Sequence, residues 1–456
     1  MTSGVLGEAS EPRHILDPTL EALANQVIAR IDAVLNAQLD AILHHPKLIA
    51  LEAAWRGLHL LVEDLPRTRR AKVCVLNVKW KEVVRDLERA LEFDQSALFW
   101  LIYTTEFDMP GGEPLGTIIC DFQLSHKNAS DMRALKCVAA VAEASFCVML
   151  FPTSPSLLGM NEFADLHPSV SPKSIFRTEE YLVWRSIRDA PSSRFLGFML
   201  PRALMRRPWG EDGVRRGAFP YRESCDKLEH YVWAHPGFVL ARVLLREFDE
   251  TGWFAHVRGA PRDTLAGGIV VDLLPTRSLD QCDDQFFTLP STDVVITDYM
   301  ERELSECGFI SLAHCWQTAY AAFLSLPSLY RMQLKEQSEN AENEKVGSQL
   351  QNVLCASRFA HYIKVLMRDK IGTYKTAKDC ERFLVDWIRE YCTGGENLDW
   401  ETRARYPLRS ATIKVHEDEM SPGSMRCNMS LSPHYQYDGL VGEINMSTEF
   451  PSPGRT

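Results

Sequence analysis

Apolar residues recur every three or four positions across residues 31–62, which is the spacing of one face of a helix. These positions are Ile31, Val34, Leu35, Leu39, Ile42 and Leu43, followed by Leu48, Leu51, Trp55, Leu58 and Val62. Pro46 separates the two series, and a proline lacks the amide donor that a helix interior needs but suits a first turn. The pattern therefore predicts two helices with a break at His44-His45-Pro46, each with an apolar stripe that needs cover.

Short apolar or β-branched runs alternate with helical patterns through the middle of the chain. Strands are predicted at residues 72–78, 98–104, 116–122, 146–151, 195–200 and 269–274. Helices are predicted at residues 79–91, 132–144, 179–188 and 228–248, the last interrupted at His235-Pro236-Gly237. Strands that alternate with helices indicate an α/β region with a partly parallel sheet.

The last third of the chain changes its period. The polar stretch at residues 335–345 indicates an exposed loop or helix end, and amphipathic helices are predicted at 353–367 and 378–391. Apolar residues then alternate with polar ones at 411–416 and at 425–431, which predicts a hairpin with one apolar face. Such a hairpin is marginally stable alone, so it must pack or pair with something.

Composition narrows the class of protein. A length of 456 residues suggests two or three domains. The sequence contains no run of 18 apolar residues, so no membrane span is predicted. The net charge of −11 argues against a nucleic-acid binder, which needs basic surface. The 12 cysteines are scattered without a Cys-x-x-Cys pair, and those at 74, 120 and 147 lie in apolar runs where burial is expected. No secretory signal is evident, so we expect a reducing cytoplasm.

Candidate catalytic and metal-binding groups are few. His44 and His45 are adjacent, and adjacent helical positions point about 100° apart, so their two rings do not converge on one ion. Gly267 and Gly268 precede a predicted strand, whereas a phosphate-binding loop lies between a strand and a helix. We therefore predict no catalytic residue, no metal ligand and no cofactor, although groups distant in sequence can still meet in space.

Several segments resemble, in order, the large sheath subunit of bacterial type VI secretion systems, the longer of two chains that build a contractile tube. They include QLDAILHHP (38–46), LEAAWRGL (51–58), GGEPLGTIICDF (111–122), RDAPSSRFLGFMLPRALMRRPWG (188–210), YVWAHPGFVLARVLLREFDETGWFAHVRG (231–259) and SRFAHYIKVLMRDKIGT (357–373). The resemblance covers nearly all the chain beyond its N-terminal arm. The arm looks short for the family, and DGLVGEINMS (438–447) departs from the family's final strand.

The resemblance implies a mechanism without bond chemistry. Large and small sheath subunits form a heterodimer, dimers stack as a helical tube around an inner tube, and neighbouring protomers share sheets. Contraction to a better-packed state then drives the inner tube outward. The implied partners are the small sheath subunit, further copies of the chain, the inner-tube ring protein, the baseplate and a Clp-family AAA+ unfoldase for disassembly.

Residues and resemblance together predict a mixed α/β, multi-domain, contractile-sheath-like fold with a C-terminal β-hairpin that pairs with neighbouring chains. The expected domains are an arm at 1–27, a sheath core at 28–70 plus 350–456, and a middle and outer α/β domain at 71–349. Two alternatives remain open at this point. One is a cytoplasmic α/β enzyme with a dispersed active site, and the other is a sheath protein of another contractile particle.

The predicted contact residues form three groups. Trp55 lies at the centre of the stripe at 51–58, where a core position is expected, and Arg56 is expected to pair with a carboxylate; both are assigned to a subunit interface. The hairpin contributes four further interface residues: Ile413, Val415, Met429 and Leu431. The charged side of the helix at 378–391 is expected to meet the inner tube, as the family's late helix does, through Asp386, Arg389 and Glu390.

Overall fold

The computed structural model describes residues 18–65, 71–168, 171–210, 219–261, 265–271, 273, 291–315, 318, 320–332, 339–369, 376–395, 398–417, 424–434 and 443–451. Its helices are α1 (Pro18–Leu43), α2 (Pro46–Asp64), α3 (Trp80–Arg89), α4 (Ala97–Phe99, continued by a π-helix at Trp100–Asp108), α5 (Ala129–Ser145), α6 (Pro172–Ile175), α7 (Leu182–Arg188), α8 (Pro236–Thr251), α9 (Asp298–Glu306), α10 (Glu339–Gly347), α11 (Leu350–Asp369), α12 (Ala377–Arg389) and α13 (Trp400–Arg405). Its strands are β1 (Thr117–Ile119), β2 (Val148–Pro152), β3 (Leu196–Leu200), β4 (Ala203–Arg206), β5 (Val232–Ala234), β6 (Ile269–Val270), β7 (Phe309–His314), β8 (Ala321–Phe323), β9 (Leu408–Glu417), β10 (Ser424–Pro433) and β11 (Ile444–Pro451). Short 3₁₀ turns lie at Phe93–Gln95, Pro155–Leu158, Phe163–Asp165, Glu179–Tyr181, Pro191–Phe195 and Leu228–His230.

The chain divides into two compact units. One comprises Met1–Ile49 and Arg207–Tyr231, and the other comprises Ala50–Arg206 and Val232–Thr456. One apolar core joins residues on both sides of the boundary predicted at 349/350, and the predicted domain bounds stay a prediction. Within this core the Trp253 ring stacks on Phe359 of α11 at 4.1 Å between centroids.

The larger unit is built on a six-stranded sheet of order β1-β2-β3-β7-β8-β6. The first three neighbouring pairs are parallel, and β8 is antiparallel to both β7 and β6. Every residue of β2 (VMLFP) and β3 (LGFML) is buried, as expected for parallel strands that are covered on both faces. The α/β fold predicted from the alternating pattern is confirmed here, with mixed helices and sheets throughout the described residues.

The strand predicted at residues 98–104 was wrong, because this segment is helical. Ser96 caps its first turn by accepting a hydrogen bond from the Phe99 amide at 3.1 Å, and the Asp86 carboxylate accepts from two further amides. Aromatic rings then stack along one helical face, from Phe99 to Tyr103 at 4.7 Å. Capping by a distant carboxylate and ring stacking outweigh the β-propensity of the segment.

The strand predicted at residues 72–78 was also wrong. Within the described residues this segment pairs with no strand, and Val75 and Leu76 are exposed. Cys74 is exposed as well, whereas Cys120 and Cys147 are buried as expected. A short β-branched run is therefore not enough to form a strand when no neighbouring edge is available to it.

The C-terminal elements match the predicted change of period. Strands β11, β10 and β9 form an antiparallel sheet in that order, with Met429 opposite Ile413 on β9 and Met446 on β11. Residues 418–423, between β9 and β10, lie outside the described residues. Helix α12 packs along β9 and α11 along β11, so two helices of the same chain cover one face of this sheet.

Candidate functional site

Helix α1 presents an apolar face to solvent. Its exposed large apolar residues are Leu20, Leu23, Val27, Ile28, Ile31, Val34, Leu35 and Ile42, with exposed fractions between 41% and 60%. At 100° per residue all eight fall within about 140° of the helix circumference. We call this set the α1 apolar face; it has the width of a buried stripe but lacks cover among the described residues.

The other side of α1 carries half-buried polar residues in its C-terminal half. Asp32, Asn36 and Asp40 lie on this side at i, i+4 spacing. Asp40 accepts a hydrogen bond from the Tyr221 hydroxyl at 2.7 Å, which holds the segment at residues 219–231 against the helix. The smaller unit therefore covers part of this side, around Asp32, Asn36 and Asp40, and leaves the α1 apolar face open; residues 19–31 are exposed on every side of the helix.

Helix α2 buries a different stripe from the one that its bulky residues predict. Its buried positions are Ala53, Gly57 and Leu61, which contact Phe238 in a small apolar cluster. A Cβ atom on Gly57 would lie 2.4 Å from the Phe238 ring, so the helix approaches this ring along its small residues. Trp55 is 63% exposed, which corrects the expectation that it lies in the core.

Arg56 pairs with a carboxylate, as expected, and this carboxylate belongs to its own chain. Its Nε lies 2.7 Å from Glu52 Oε1, and the same oxygen receives a hydrogen bond from Arg206 Nε at 2.8 Å. Arg206 is nearly fully buried and lies 154 positions from Glu52, so no local pattern could predict this contact. The assignment of Trp55 and Arg56 to a subunit interface stays a prediction.

The four hairpin residues assigned to an interface are buried inside the chain. Ile413, Val415, Met429 and Leu431 have exposed fractions of 6% or less. They join the core that includes Cys380, Leu384 and Ile388 of α12. The alternation was predicted correctly, but the cover comes from the same chain, so these side chains do not present a free surface to a neighbour.

What the C-terminal sheet offers to a neighbour is its strand edges. The Val415 amide donates to Glu381 Oε2 at 3.0 Å, so it points away from β10. Because strand residues alternate in the direction of their backbone groups, Ala411 and Ile413 share this outward orientation. The start of β9 is already paired, since the Leu408 carbonyl accepts from the Thr393 amide at 3.0 Å.

Helix α12 carries the predicted charged side on its exposed surface. Cys380, Leu384 and Ile388 are its buried positions. Asp386 and Arg389 are each 73% exposed and form an ion pair of 3.6 Å with one another. Glu390 is exposed beside them. The arrangement suits a polar contact, and contact with an inner tube stays a prediction.

Two buried histidines of the larger unit, His235 and His361, link neighbouring elements. Burial lowers the pKa of both His235 and His361 to about 4. His235 Nε2 is 3.2 Å from the Leu150 carbonyl oxygen, and His361 Nε2 is 3.0 Å from that of Ser145. Each ring thus connects a helix or its first turn to a neighbouring element, with its charge removed by burial.

Glu247 of α8 also has a strongly shifted pKa. Its side chain is fully buried, and among the described residues neither carboxylate oxygen has a hydrogen-bond partner. Burial raises the pKa of Glu247 to about 8, with Glu250 adding to the shift and Arg246 opposing it. A carboxyl group in this state is protonated at neutral pH.

The chain matches two protein families along nearly its whole length. The VipB/EvpB tail sheath N-terminal domain matches residues 25–330, and the VipB/EvpB tail sheath gpW/gp25-like domain matches residues 339–450. The type VI secretion system sheath protein TssC1 of Pseudomonas aeruginosa is 32% identical over 431 residues, covering 93% of this chain and 85% of that protein. These matches give no support to the alternative of an enzyme.

Two solved structures share weaker similarity. A chain of the anti-feeding prophage baseplate aligns with 85% of this chain and 80% of its own length, at 10% identity and a TM-score of 0.33. The sheath tail protein Lin1278 of Listeria innocua aligns with 69% of this chain and 59% of its own length, at 12% identity and a TM-score of 0.30. Separately, in the described parts of the chain we find no helix with the length and apolar character that crossing a bilayer requires.

Proposed function

Because this chain belongs to the VipB/EvpB family and is a structural subunit of the contractile sheath of a type VI secretion system, we propose that the α1 apolar face binds the small sheath subunit. The observation that carries this proposal is that α1 exposes its apolar face to solvent. Its eight large apolar residues are exposed, whereas the polar residues Asp32, Asn36 and Asp40 on the other side are half-buried in its own unit. An apolar stripe of this width on a helix is typical of a protein–protein contact.

The C-terminal sheet supports a second contact, with further copies of the sheath subunits. Its apolar face is already covered by α11 and α12, so the available groups are backbone amides and carbonyls at the edges of β9 and β11. An exposed edge is a template for strand addition. We propose that strands from neighbouring subunits pair there, and that Glu381 holds the Val415 amide until such a strand replaces it.

The remaining partners follow from the family and from exposed polar surface. We propose that α12 contacts the inner-tube ring protein through Asp386, Arg389 and Glu390, which are exposed. The baseplate and a Clp-family AAA+ unfoldase complete the proposed set of partners. We place the assembly in the cytoplasm, which agrees with cysteines that are free thiols in the described residues.

The proposal for α1 is tested by adding charge to its apolar face. The double variant Ile31→Asp/Val34→Asp should reduce binding of the small sheath subunit by more than about 100-fold, since each central apolar contact at an interface is worth roughly 2 kcal/mol or more. Both residues are exposed, so the chain itself should keep its thermal stability. Native mass spectrometry of the co-expressed pair measures the complex.

The matched control is Gln26→Asp/Ala33→Asp, which adds the same charge on the opposite side of α1, where both residues are exposed. This control should form the complex as the wild type does. Equal complex formation by both double variants would show that the small subunit binds elsewhere. A loss in both would point to melting of the helix and would contradict a contact through the apolar face alone.

A further inference from the structure

A cluster of three metal-ligand side chains lies in the smaller unit. His44 directly follows α1, and Glu223 and Cys225 lie in the segment that Tyr221 holds against that helix. One ligand atom from each side chain lies within 4.8 Å of the others. His44 Nε2 and Glu223 Oε1 are 3.4 Å apart. The cluster belongs neither to the α1 apolar face nor to the C-terminal sheet.

Burial and hydrogen bonding orient the first two groups. The Glu223 side chain is fully buried, and its Oε2 accepts a hydrogen bond from the Trp209 amide at 2.8 Å, which directs Oε1 toward His44. His44 Nε2 is buried and makes no hydrogen bond within the described residues. A buried nitrogen beside a buried carboxylate is costly unless a proton or a cation lies between them.

His230 fixes the plane of the His44 ring. The two rings stack at 4.0 Å between centroids with an angle of 8° between their planes. The nitrogen lone pairs of the two stacked rings lie in separate, nearly parallel planes and do not converge, so His230 does not share an ion with His44 in this geometry. His230 is therefore a positioning residue, and the ligands are the imidazole, the carboxylate and the thiol.

We propose that His44, Glu223 and Cys225 bind one zinc ion. Nitrogen, oxygen and sulfur donors together suit Zn²⁺, which takes a tetrahedral set at about 2.0–2.3 Å. In such a set the donor atoms are about 3.4–3.7 Å apart. The His44–Glu223 distance of 3.4 Å already meets this, and Cys225 needs to approach by about 1 Å at most. The fourth position is left to water or an added ligand.

The ion would join two segments that are distant in sequence. It connects the break after α1 to the segment at residues 219–231, beside the Tyr221–Asp40 hydrogen bond. The thiol must lose its proton to become a ligand, so zinc affinity should fall as pH decreases. The site would thereby fix the end of the helix whose apolar face is exposed.

Cobalt binding to the full-length chain tests the site. The chain is purified without a histidine tag, stripped with a chelator and titrated with Co²⁺ and then Zn²⁺. We expect one Co²⁺ per chain with a thiolate-to-cobalt charge-transfer band in the near ultraviolet, which Zn²⁺ abolishes. Cys225→Ser should lose the band and weaken zinc binding by more than about 100-fold, since even removal of a supporting group beyond the ligands costs 10–100-fold.

Cys74→Ser is the matched control, because Cys74 is an exposed thiol of the other unit. It should bind Co²⁺ as the wild type does. A wild-type chain without the band, or a band that persists in Cys225→Ser, would overturn the proposal. Should Cys225→Ser be insoluble, alkylation of the wild-type chain decides: zinc should protect Cys225 and leave Cys74 reactive, and equal modification of both would overturn it.

Discussion

Helix α1 and the C-terminal sheet have equally regular apolar patterns, but the apolar residues are exposed in α1 and buried in the sheet. In β9 and β10 the apolar residues point inward and are covered by α11 and α12 of the same chain. In α1 the eight residues of the apolar face point outward, while Asp32, Asn36 and Asp40 on the other side are half-buried. The pattern identifies a face that needs cover, but it does not identify which chain supplies the cover.

The difference follows from what each element meets in its own chain. The sheet is preceded by two amphipathic helices whose apolar sides match its apolar side, as Leu384 and Ile388 of α12 show. The segment at residues 219–231 instead brings the Tyr221 hydroxyl to Asp40 on the polar side of α1, and the His230 ring to His44 directly after the helix. A covered face therefore contributes to the stability of the chain, and we propose that the open face of α1 contributes to assembly.

The largest expected effect is on the covered face of the sheet. Leu431→Ala removes a side chain with no exposed surface and should lower the free energy of unfolding by about 2–5 kcal/mol. Asn428→Ala, on the exposed side of the same strand, should change it by about 0.5 kcal/mol or less. Urea unfolding of the purified chain measures both. If Leu431→Ala kept its unfolding midpoint and lost only assembly, the face would be covered by a partner.

Glu247 extends the comparison to a polar group on a covered helix face. Because the folded chain holds a proton on Glu247 up to a pH of about 8 and the unfolded chain loses it near pH 4.3, stability should fall as pH rises between these values. The slope is about 1.4 kcal/mol per pH unit at most. Glu247→Gln should remove this contribution and raise stability at pH 7.

Urea unfolding at several pH values between 5 and 8 checks the prediction for Glu247. The control is Asp249→Asn, two residues along α8, where the side chain is exposed and does not contribute to the pKa shift of Glu247. This control should keep the wild-type pH dependence. A Glu247→Gln variant with the same pH slope as the wild type would show that the carboxyl group is ionised or solvated in the folded chain.

Helix α2 allows a buried and an exposed position to be compared within one helix. Gly57→Ala places a methyl group against the Phe238 ring and should cost about 1–3 kcal/mol of stability. Trp55→Ala removes a mostly exposed side chain and should cost less than about 1 kcal/mol in the isolated chain. Thermal unfolding separates the two. A larger loss of stability for Trp55→Ala than for Gly57→Ala would show that Trp55 is buried in the core, as the sequence predicted.

Local patterns predicted those parts of the fold whose determinants are close in sequence. The break at Pro46, the buried strands β2 and β3, and the alternation in β9 and β10 all follow from residues within one element. The helix at 97–108 was missed because part of its cap is Asp86, and rings spaced by four residues compete with β-propensity.

The candidate site was predictable only in part, for the same reason. The charged side of α12 and the partner type of Arg56 come from helical spacing. The small-residue stripe of α2 was missed because glycine and alanine carry little hydrophobic signal, although they allow the closest approach. The contacts of Glu52 with Arg206 and of His44 with Glu223 join distant segments, which no periodicity reveals.

The smallest effects on the chain itself are expected at α12, whose exposed side should matter only in assembly. Asp386→Lys/Glu390→Lys reverses two exposed charges, and exposed ion pairs contribute about 0–1 kcal/mol each, so folding and the heterodimer should be unaffected. Co-assembly with the tube protein should fail at low salt, because weak polar contacts repeat at every subunit and add up. Electron microscopy of co-expressed sheath and tube proteins measures filled and empty sheaths.

The matched control for α12 is Asp249→Lys/Glu250→Lys, which reverses two exposed charges at the end of α8. It should give filled sheaths, like the wild type. High salt screens charge pairs, so the wild type should also lose tube contact there if the contact is electrostatic. Filled sheaths from the α12 variant at both salt concentrations would show that this helix is solvated in the assembly, and the tube would then have to bind another surface.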